Sequence, residues 1–263
     1  MQLKSHAELF LIEPDWPAPS NVRSFVTTRK GGISTVPYDT LNLGDRVGDQ
    51  FEAVSFNRQL LRNRLPSDPI WLKQVHGTEV WNAKPYKPNP QVIEADAAFT
   101  VHRNVVVTVT TADCLPIFFC SRIGNTVGVA HAGWRGLCNG VIENTIHQIL
   151  SSSKNLQVQD LMVWFGPAIG PKAFEVGDDV LREFSKFAVN HPIEKLMTAF
   201  EPIHEKPGKY LANLYLLAKL RLNSLGISEI YGGNFCTYQD HEQFFSYRRD
   251  GCTGRFASLI WFE

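Results

Sequence analysis

The sequence predicts an α+β (α/β mixed) fold, a single-domain sandwich of mixed β-sheets flanked by helices. Short apolar, β-branched runs recur along the 263 residues, and amphipathic helical segments stand between some of them. The two kinds of segment do not alternate strictly, which disfavours a doubly wound parallel sheet. No linker or fixed-period repeat divides the chain, so one domain is expected over residues 1–263.

The elements follow from local patterns. Strands are predicted at Ser24–Thr28, Ile70–Lys73, Val105–Thr110, Pro116–Cys120, Thr126–Ala130, Leu161–Phe165, Glu229–Gly232 and Phe256–Phe262. Helices are predicted at Phe51–Arg64, Leu137–Ser152, Asp179–Phe187 and Leu211–Leu225. The three prolines of Lys84–Pro90 predict a surface loop.

Charge and cysteine usage narrow the class of protein. Lys+Arg and Asp+Glu are both 26, so non-specific binding to nucleic acid or to an acidic membrane surface is not expected. The N-terminal residues lack the pattern of a signal peptide, and no apolar run is long enough to span a bilayer. Five cysteines without framework spacing favour free thiols, so we expect a cytoplasmic protein.

Three side chains that could carry chemistry stand where predicted strands end. His76 lies in WLKQVHG, Cys114 in TTADCLPI and His131 in VAHAGWRG. Two imidazoles and a thiolate are a ligand set for zinc, and three protein ligands leave the fourth tetrahedral position for water, as in catalytic sites. Such water ionises near pH ~7 and would supply a nucleophile.

The same atoms allow other interpretations. Cys114 could be the nucleophile of a cysteine hydrolase or amidase, with His131 or His76 as its base and Asp113 orienting the histidine. The plainest alternative is structural, because cysteine is often buried as a small hydrophobe and a lone histidine is usually only hydrogen-bonded. The spacing does not separate these possibilities.

Arginines and aromatic residues cluster beside these motifs. Arg135 begins a predicted helix, where free N–H groups attract anions, and Arg46 lies in a glycine-rich segment. The segment FFSYRRDGCTGR contains Arg248, Arg249 and Arg255, and arginine offers phosphate a bidentate fork. Phe244, Phe245 and Tyr247 could stack on a purine, although core packing is the more frequent role of such residues.

The ordered motifs TTRKGGIS, PYDTLNLG, QVHG, TADCLPI, AHAGWRG, GPAIGP, CTY and FFSYRRD together resemble the YfiH family, also called the laccase-domain or multicopper polyphenol oxidase family. The match runs from about Ser24 to the end of the chain. The resemblance implies a YfiH/CNF1-like fold and a purine nucleoside enzyme. The implied reactions are phosphorolysis of adenosine, inosine and methylthioadenosine, and deamination of adenosine.

The resemblance also implies that His76, Cys114 and His131 are the metal ligands and the catalytic centre. Zn²⁺ is the expected cofactor, and Cu²⁺ at the same single site would give a polyphenol oxidase as an alternative. A full laccase copper set is disfavoured, because the chain has eight histidines and no His-X-His pair. The expected partners are purine nucleosides and phosphate; by proximity to the motifs, the substrate-binding candidates are Asn42, Arg46, Gln74, Arg135 and Arg248.

Overall fold

A six-stranded mixed sheet forms the central layer of the protein in a computed structural model, which describes residues 9–85, 92–187 and 193–263. The strands in these ranges are β1 (Leu11–Ile12), β2 (Val22–Thr27), β3 (Val80–Asn82), β4 (Ala97–Thr100), β5 (Val107–Thr111), β6 (Leu115–Ser121), β7 (Val127–Ala132), β8 (Leu161–Phe165), β9 (Glu175–Gly177), β10 (Phe200–Pro202), β11 (Lys209–Ala212), β12 (Ile230–Gly232) and β13 (Phe256–Phe262). The helices are α1 (Phe51–Arg62), α2 (Trp134–Asn139), α3 (Val141–Ser152), α4 (Asp178–Phe187), α5 (Ile193–Met197), α6 (Leu214–Ser224) and α7 (Tyr247–Asp250).

Three sheets are present among the described residues. The central sheet has the order β12-β8-β6-β7-β4-β3, a second has the order β1-β2-β13-β5, and a small one has the order β10-β11-β9. The pairs β12–β8 and β3–β4 are parallel, whereas the other pairs of the central sheet are antiparallel. The predicted sandwich of sheets flanked by helices is therefore confirmed; the central sheet is mixed, and the pairs of the other two sheets are antiparallel.

The core lies in layers on both faces of the central sheet. Side chains alternate along β6, so that Phe118 packs toward the second sheet while Ile117 and Phe119 pack toward the helical layer. A further apolar cluster lies on the outer face of the second sheet, where Leu61 of α1 packs with Leu259 of β13. Burial on both faces explains why β6 reads as a continuous apolar run.

Several boundaries differ from the sequence prediction. The predicted helix Leu137–Ser152 is two helices, α2 and α3, and the predicted helix Leu211–Leu225 begins at Leu214 because the preceding residues pair within β11. The predicted strand Ile70–Lys73 forms only isolated bridges at its two ends. Short strands such as β4 and β9 were not predicted, because three or four residues carry little periodicity.

The break between α2 and α3 is at Gly140, whose φ of 101° lies in the left-handed region that favours glycine. Gly140→Ala should lower the free energy of unfolding by about 1–2 kcal/mol through backbone strain. The added Cβ would lie 3.5 Å from its nearest neighbour, so a clash is not the cause. Urea unfolding measures the change, with the exposed Gln148→Ala as a control expected to stay within about 0.5 kcal/mol. An unchanged midpoint for Gly140→Ala would contradict this account.

Two of the sequence predictions stay predictions. The loop predicted at Lys84–Pro90 lies mostly outside the described residues. The single domain over residues 1–263 stays a prediction. Within the described ranges, no helix has the length and apolar character needed to cross a bilayer.

Candidate metal centre and substrate cleft

Four chain segments meet at one end of the central sheet. His131 lies at the end of β7 and is paired with the start of β6. Cys114 is the residue directly before β6. The start of β4, directly after Asp96, pairs with the same end of β7. His76 lies in the loop before β3, whose first residue pairs with the first residue of β4. Residues far apart in sequence are thus neighbours, because strand order and direction place their strand ends together.

His76, Cys114 and His131 form the one group in the described part of the chain whose donor atoms could hold a metal ion. All three donor atoms lie within 4.8 Å of one another, and His76 Nε2 lies 3.8 Å from Cys114 Sγ. The two imidazole rings are 4.8 Å apart at an interplanar angle of 74°. Ligands bound tetrahedrally to zinc at about 2.0–2.3 Å are separated by about 3.5 Å, so small side-chain movements would complete such a site.

Asp96 holds two of the three candidate ligands. Its carboxylate is fully buried and accepts a hydrogen bond of 2.8 Å from His131 Nδ1. It also accepts main-chain N–H bonds from Val75, His76 and Gly77 at 3.1, 2.9 and 2.7 Å. Because Nδ1 of His131 is occupied, Nε2 is left for a metal, as is typical of histidine ligands.

The backbone of His76 adopts φ = 61°, in the left-handed region that residues other than glycine seldom occupy. The Asp96 hydrogen bonds to this residue and both of its neighbours stabilise the turn. They offset a conformational cost of about 1–3 kcal/mol. The strain therefore lies at a residue whose direction matters for the site.

Charges within the group favour the metal-binding form of the thiol. Burial raises the pKa of Cys114, but the His131 and His76 imidazoles outweigh burial and lower that pKa to about 6. Burial lowers the pKa of His131, but the Cys114 thiolate and the Asp96 carboxylate outweigh it and raise that pKa to about 9. Without metal, the pair at neutral pH is therefore a thiolate beside an imidazolium, and the thiolate is the form that ligates metals.

The space beside the group fits a bound ion. A Cβ on Gly133 would lie 2.9 Å from Cys114 Sγ and 3.0 Å from the His76 ring, so a larger residue would push these donors apart. The nitrogen and sulfur donors suit zinc, and three of them leave one position open. The residues present therefore fit the implied metal.

A cleft of about 580 Å³ opens beside the three donors. Of the substrate-binding candidates, Arg46, Gln74, Arg135 and Arg248 line this cleft. Asn42 does not line it, because its side chain is fully buried and hydrogen-bonded to protein groups. The expectation that Asn42 contacts substrate directly is therefore not supported by its position.

The other candidates differ in how much of each side chain is available. The Gln74 amide accepts the Thr110 N–H at 2.8 Å and donates to the Thr110 carbonyl at 2.9 Å, which leaves one amide hydrogen. Arg248 donates to the Glu175 carbonyl at 2.6 Å. Arg46 and Arg135 are exposed, and the Arg135 guanidinium lies 4.3 Å from the centre of the Trp134 ring.

Asp113 does not orient either histidine. Its carboxylate accepts hydrogen bonds from the Thr237 hydroxyl at 2.7 Å and from the Arg248 main-chain N–H at 2.6 Å. The role considered for Asp113 in a cysteine hydrolase is therefore wrong, and Asp96 is the carboxylate bound to His131. Asp113 precedes Cys114 directly, and its hydrogen bond to Arg248 attaches α7 to this segment.

Sequence reasoning missed Asp96, which supports the candidate metal centre. Asp96 stands between alanines in EADAAF, which carries no recognisable signal. Arg255 and Tyr247 also line the cleft; both belong to the arginines and aromatic residues that the sequence places beside the motifs, although neither is among its substrate-binding candidates. Phe244 and Phe245 are fully buried, whereas Tyr247 is 60% exposed and is the aromatic residue of that segment able to stack on a ligand.

Comparison with known proteins identifies the family. The sequence model described as "Multi-copper polyphenol oxidoreductase laccase" matches residues 23–263. A Haemophilus influenzae protein named purine nucleoside phosphorylase is 52% identical over 96% of this chain and 99% of its own length. Escherichia coli "Purine nucleoside phosphorylase YfiH" is 46% identical over 95% of this chain and 98% of its own length. The chain belongs to the YfiH family.

The fold of this YfiH-family chain is also that of solved structures. The crystal structure of a Neisseria meningitidis protein matches with a TM-score of 0.86 at 44% identity, covering 96% of this chain and 99% of that chain. The likeness spans both main sheets and the helical layer, since nearly the whole chain is covered.

The oxidase label attached to the YfiH family implies several copper ions. The eight histidines of this chain include no His-X-His pair, and the described residues provide one three-donor group for a metal. These donors suffice for one ion per chain.

Proposed function

We propose that this protein is a zinc-dependent purine nucleoside phosphorylase that cleaves adenosine, inosine and methylthioadenosine and also deaminates adenosine. The observation that carries the proposal is the cleft in which two histidines and a thiol face Arg46, Arg135 and Arg248. The names of the relatives from Haemophilus influenzae and Escherichia coli support phosphorolysis in particular.

The residues of the cleft divide the work between metal and substrates. His76, Cys114 and His131 would hold Zn²⁺, which supplies Lewis acidity to the site. Guanidinium groups at the rim attract phosphate and orient it, because arginine binds phosphate oxygens in pairs. Tyr247 offers an exposed ring for the purine, and the remaining amide hydrogen of Gln74 is available to a substrate oxygen or ring nitrogen.

Phosphorolysis then needs a single displacement at the ribose. An oxygen of hydrogen phosphate forms a bond to C1′ as the bond from C1′ to the purine nitrogen breaks, and the proton that the phosphate gives up ends on the departing purine. Positioning of two bound reactants accounts for much of the rate enhancement in such reactions. Deamination replaces the C6 amino group of adenosine with a water oxygen and releases ammonia.

Product analysis tests both reactions. Metal-replete protein is incubated with adenosine, inosine or methylthioadenosine, with and without phosphate, and the products are separated by chromatography. Free base and ribose 1-phosphate should appear only with phosphate, whereas conversion of adenosine to inosine should not need it. If no base and no inosine form under either condition, the proposed activity is wrong.

Zinc is proposed over copper at this site. A blue-copper centre adds a weak axial ligand, often methionine, to two histidines and one cysteine, and no methionine lines the described cleft. Elemental analysis after mild purification should find about one zinc per chain. Copper at that level would instead favour a single-site polyphenol oxidase.

The cysteine hydrolase is the second candidate, because Cys114, His131 and Asp96 are arranged as a thiol, a base and an orienting carboxylate. Labelling with iodoacetamide separates the two candidates. A metal ligand should resist labelling until a chelator is added, whereas a free nucleophile should react in metal-replete protein.

A reducing compartment is part of the proposal. All five cysteines are free thiols, which supports a cytoplasmic location.

A further inference from the structure

Arg255 differs from the other arginines that are partly or fully buried. Each of those others forms an ion pair with a carboxylate: Arg29, Arg58, Arg62, Arg221 and Arg249. No described carboxylate lies within ion-pair distance of Arg255, although its guanidinium is partly buried in the wall of the cleft. A cation withdrawn from water is costly unless an anion compensates it.

The immediate surroundings of Arg255 leave part of its guanidinium available. Nη1 donates to the carbonyls of Thr253 and Gly254, both at 2.9 Å. The nearby Asp113 has both carboxylate oxygens engaged by other donors. Burial lowers the pKa of Arg255. The group nevertheless stays a cation at neutral pH because arginine is so basic.

A second unused donor lies on the adjacent strand. β5 and β13 pair so that Thr111 is opposite Phe256, the residue after Arg255. Thr111 lines the cleft and is 2% exposed, yet its hydroxyl has no hydrogen-bond partner among the described residues. A buried hydroxyl without a partner costs free energy, which a bound ligand oxygen would recover.

Asn42 and Gly44, two residues of the loop that carries Arg46, hold Arg255 in position. The Asn42 side-chain oxygen accepts the N–H groups of Arg255 and Gly44, at 2.8 and 2.9 Å. A Cβ on Gly44 would lie 2.8 Å from Arg255 Cγ, so the arginine stem packs directly on this glycine. The Asn42 amide donates to Asp49 at 2.9 Å, which holds the asparagine in place.

We propose that Arg255 and the Thr111 hydroxyl bind the phosphate in the cleft, with Asn42 and Gly44 as positioning residues. This inference rests on the proposed phosphorolysis and names the residues that hold its anionic substrate. The exposed Arg46 and Arg135 are hydrated without a ligand, so they attract the anion, whereas Arg255 and Thr111 hold it. The shared chemistry is a phosphate group, either inorganic phosphate or the phosphate of a nucleotide.

Steady-state kinetics test the assignment with matched variants. Arg255→Gln should raise the KM for phosphate roughly 10–100-fold, as expected for the loss of charge-assisted hydrogen bonds. The KM for the nucleoside should change less than about threefold, since Arg255 binds the other substrate. Arg122→Gln is the control, because Arg122 is exposed and paired with Glu229. Equal increases in both KM values would overturn the proposal.

Two further variants guard against misfolding of Arg255→Gln. Thr111→Val preserves shape and removes a hydroxyl that has no protein partner, so stability should hold while the KM for phosphate rises several-fold. Thr108→Val is the control for this variant. The Thr108 hydroxyl donates to the Ser258 carbonyl and Thr108 does not line the cleft, so the KM for phosphate should stay unchanged. Gly44→Ala should raise the KM for phosphate without altering any charge. An unchanged KM in both Thr111→Val and Gly44→Ala would overturn the assignment.

A binding measurement separates this inference from the proposed reaction. Inorganic phosphate should raise the melting temperature of the metal-replete wild-type protein, and the increase should be lost in Arg255→Gln. If phosphate stabilises the wild type but not Arg255→Gln, and no nucleoside is turned over, the phosphate site is supported and the proposed phosphorolysis is wrong. Stabilisation by a nucleoside 5′-monophosphate but not by inorganic phosphate would overturn the assignment to the attacking substrate, as would equal stabilisation of wild type and Arg255→Gln.

Discussion

Replacing Cys114 with alanine should remove the metal and lower turnover of the nucleoside by roughly a thousand-fold or more. The variant loses the sulfur donor and leaves two imidazoles, which hold a divalent ion much less tightly. In the proposed zinc mechanism, loss of the ion would remove several kcal/mol of transition-state stabilisation, and each ~1.4 kcal/mol is tenfold in rate. Two measurements check this: the zinc content of the variant after gel filtration, and its rate of nucleoside turnover in the presence of phosphate.

Cys138→Ala is the matched control for this variant. Cys138 is a partly buried thiol outside the cleft lining, so its loss should leave zinc content and turnover unchanged. A Cys114→Ala protein that keeps one zinc per chain would contradict the assignment of this thiol as a ligand. Full zinc content with no turnover would instead favour Cys114 as the nucleophile.

In the metal-free wild-type protein, the rate of Cys114 alkylation should depend on pH. Because the pKa of the Cys114 thiol is about 6, alkylation by iodoacetamide should accelerate as the pH rises through 6 and level off above it. An ordinary thiol, with a pKa near ~8.5, would still be accelerating at pH 8.

The long elements could be predicted from sequence because their signals are periodic. α3 carries apolar residues at helical spacing, and β6 and β13 are apolar runs with the length of a strand. The strand β11 lies within an apolar stretch that continues into α6, and periodicity alone does not show where pairing replaces the helix. Ile70–Lys73 has the composition of a strand, but only its two end residues form bridges.

The three metal-donor residues of the candidate site could be predicted from the sequence, whereas the residues that hold and surround them could not. His76, Cys114 and His131 stand beside turn residues at strand ends, and that position marks residues which a rigid sheet presents. Asp96 acts through four hydrogen bonds to groups distant in sequence, three of them main-chain N–H groups that have no residue type to recognise. The role proposed for Arg255 depends on packing, because no described carboxylate lies within ion-pair distance of its guanidinium and the neighbouring Thr111 hydroxyl has no partner among the described residues.

Asp96→Asn should weaken metal binding about 10–100-fold and lower the free energy of unfolding by about 3–5 kcal/mol. An asparagine offers one oxygen where the carboxylate offers two, and its NH₂ group would face N–H donors. The turn at His76 would lose part of its support, and His131 would lose the acceptor that fixes its ring. Competition with a chromophoric zinc chelator measures the affinity, and urea unfolding measures the stability.

Leu222→Ala separates the two effects of Asp96→Asn. This fully buried core residue does not line the cleft, and its truncation should cost a similar ~2–5 kcal/mol while zinc affinity stays unchanged. If Leu222→Ala weakens zinc binding as much as Asp96→Asn does, the affinity loss reports general destabilisation and the specific role of Asp96 is wrong.

Acid unfolding gives a third, independent readout for Asp96. Burial raises the pKa of this carboxyl, but His131 and the main-chain N–H groups outweigh burial, and the pKa lies below its ordinary value. A carboxyl with a lowered native pKa contributes stability above its unfolded pKa near ~3.9, and this contribution is lost as the pH falls through the native value. The stability difference between wild type and Asp96→Asn should therefore be full at pH 6 and shrink below pH 4. A difference that stays constant into strong acid would show that the ionised carboxylate does not stabilise this turn.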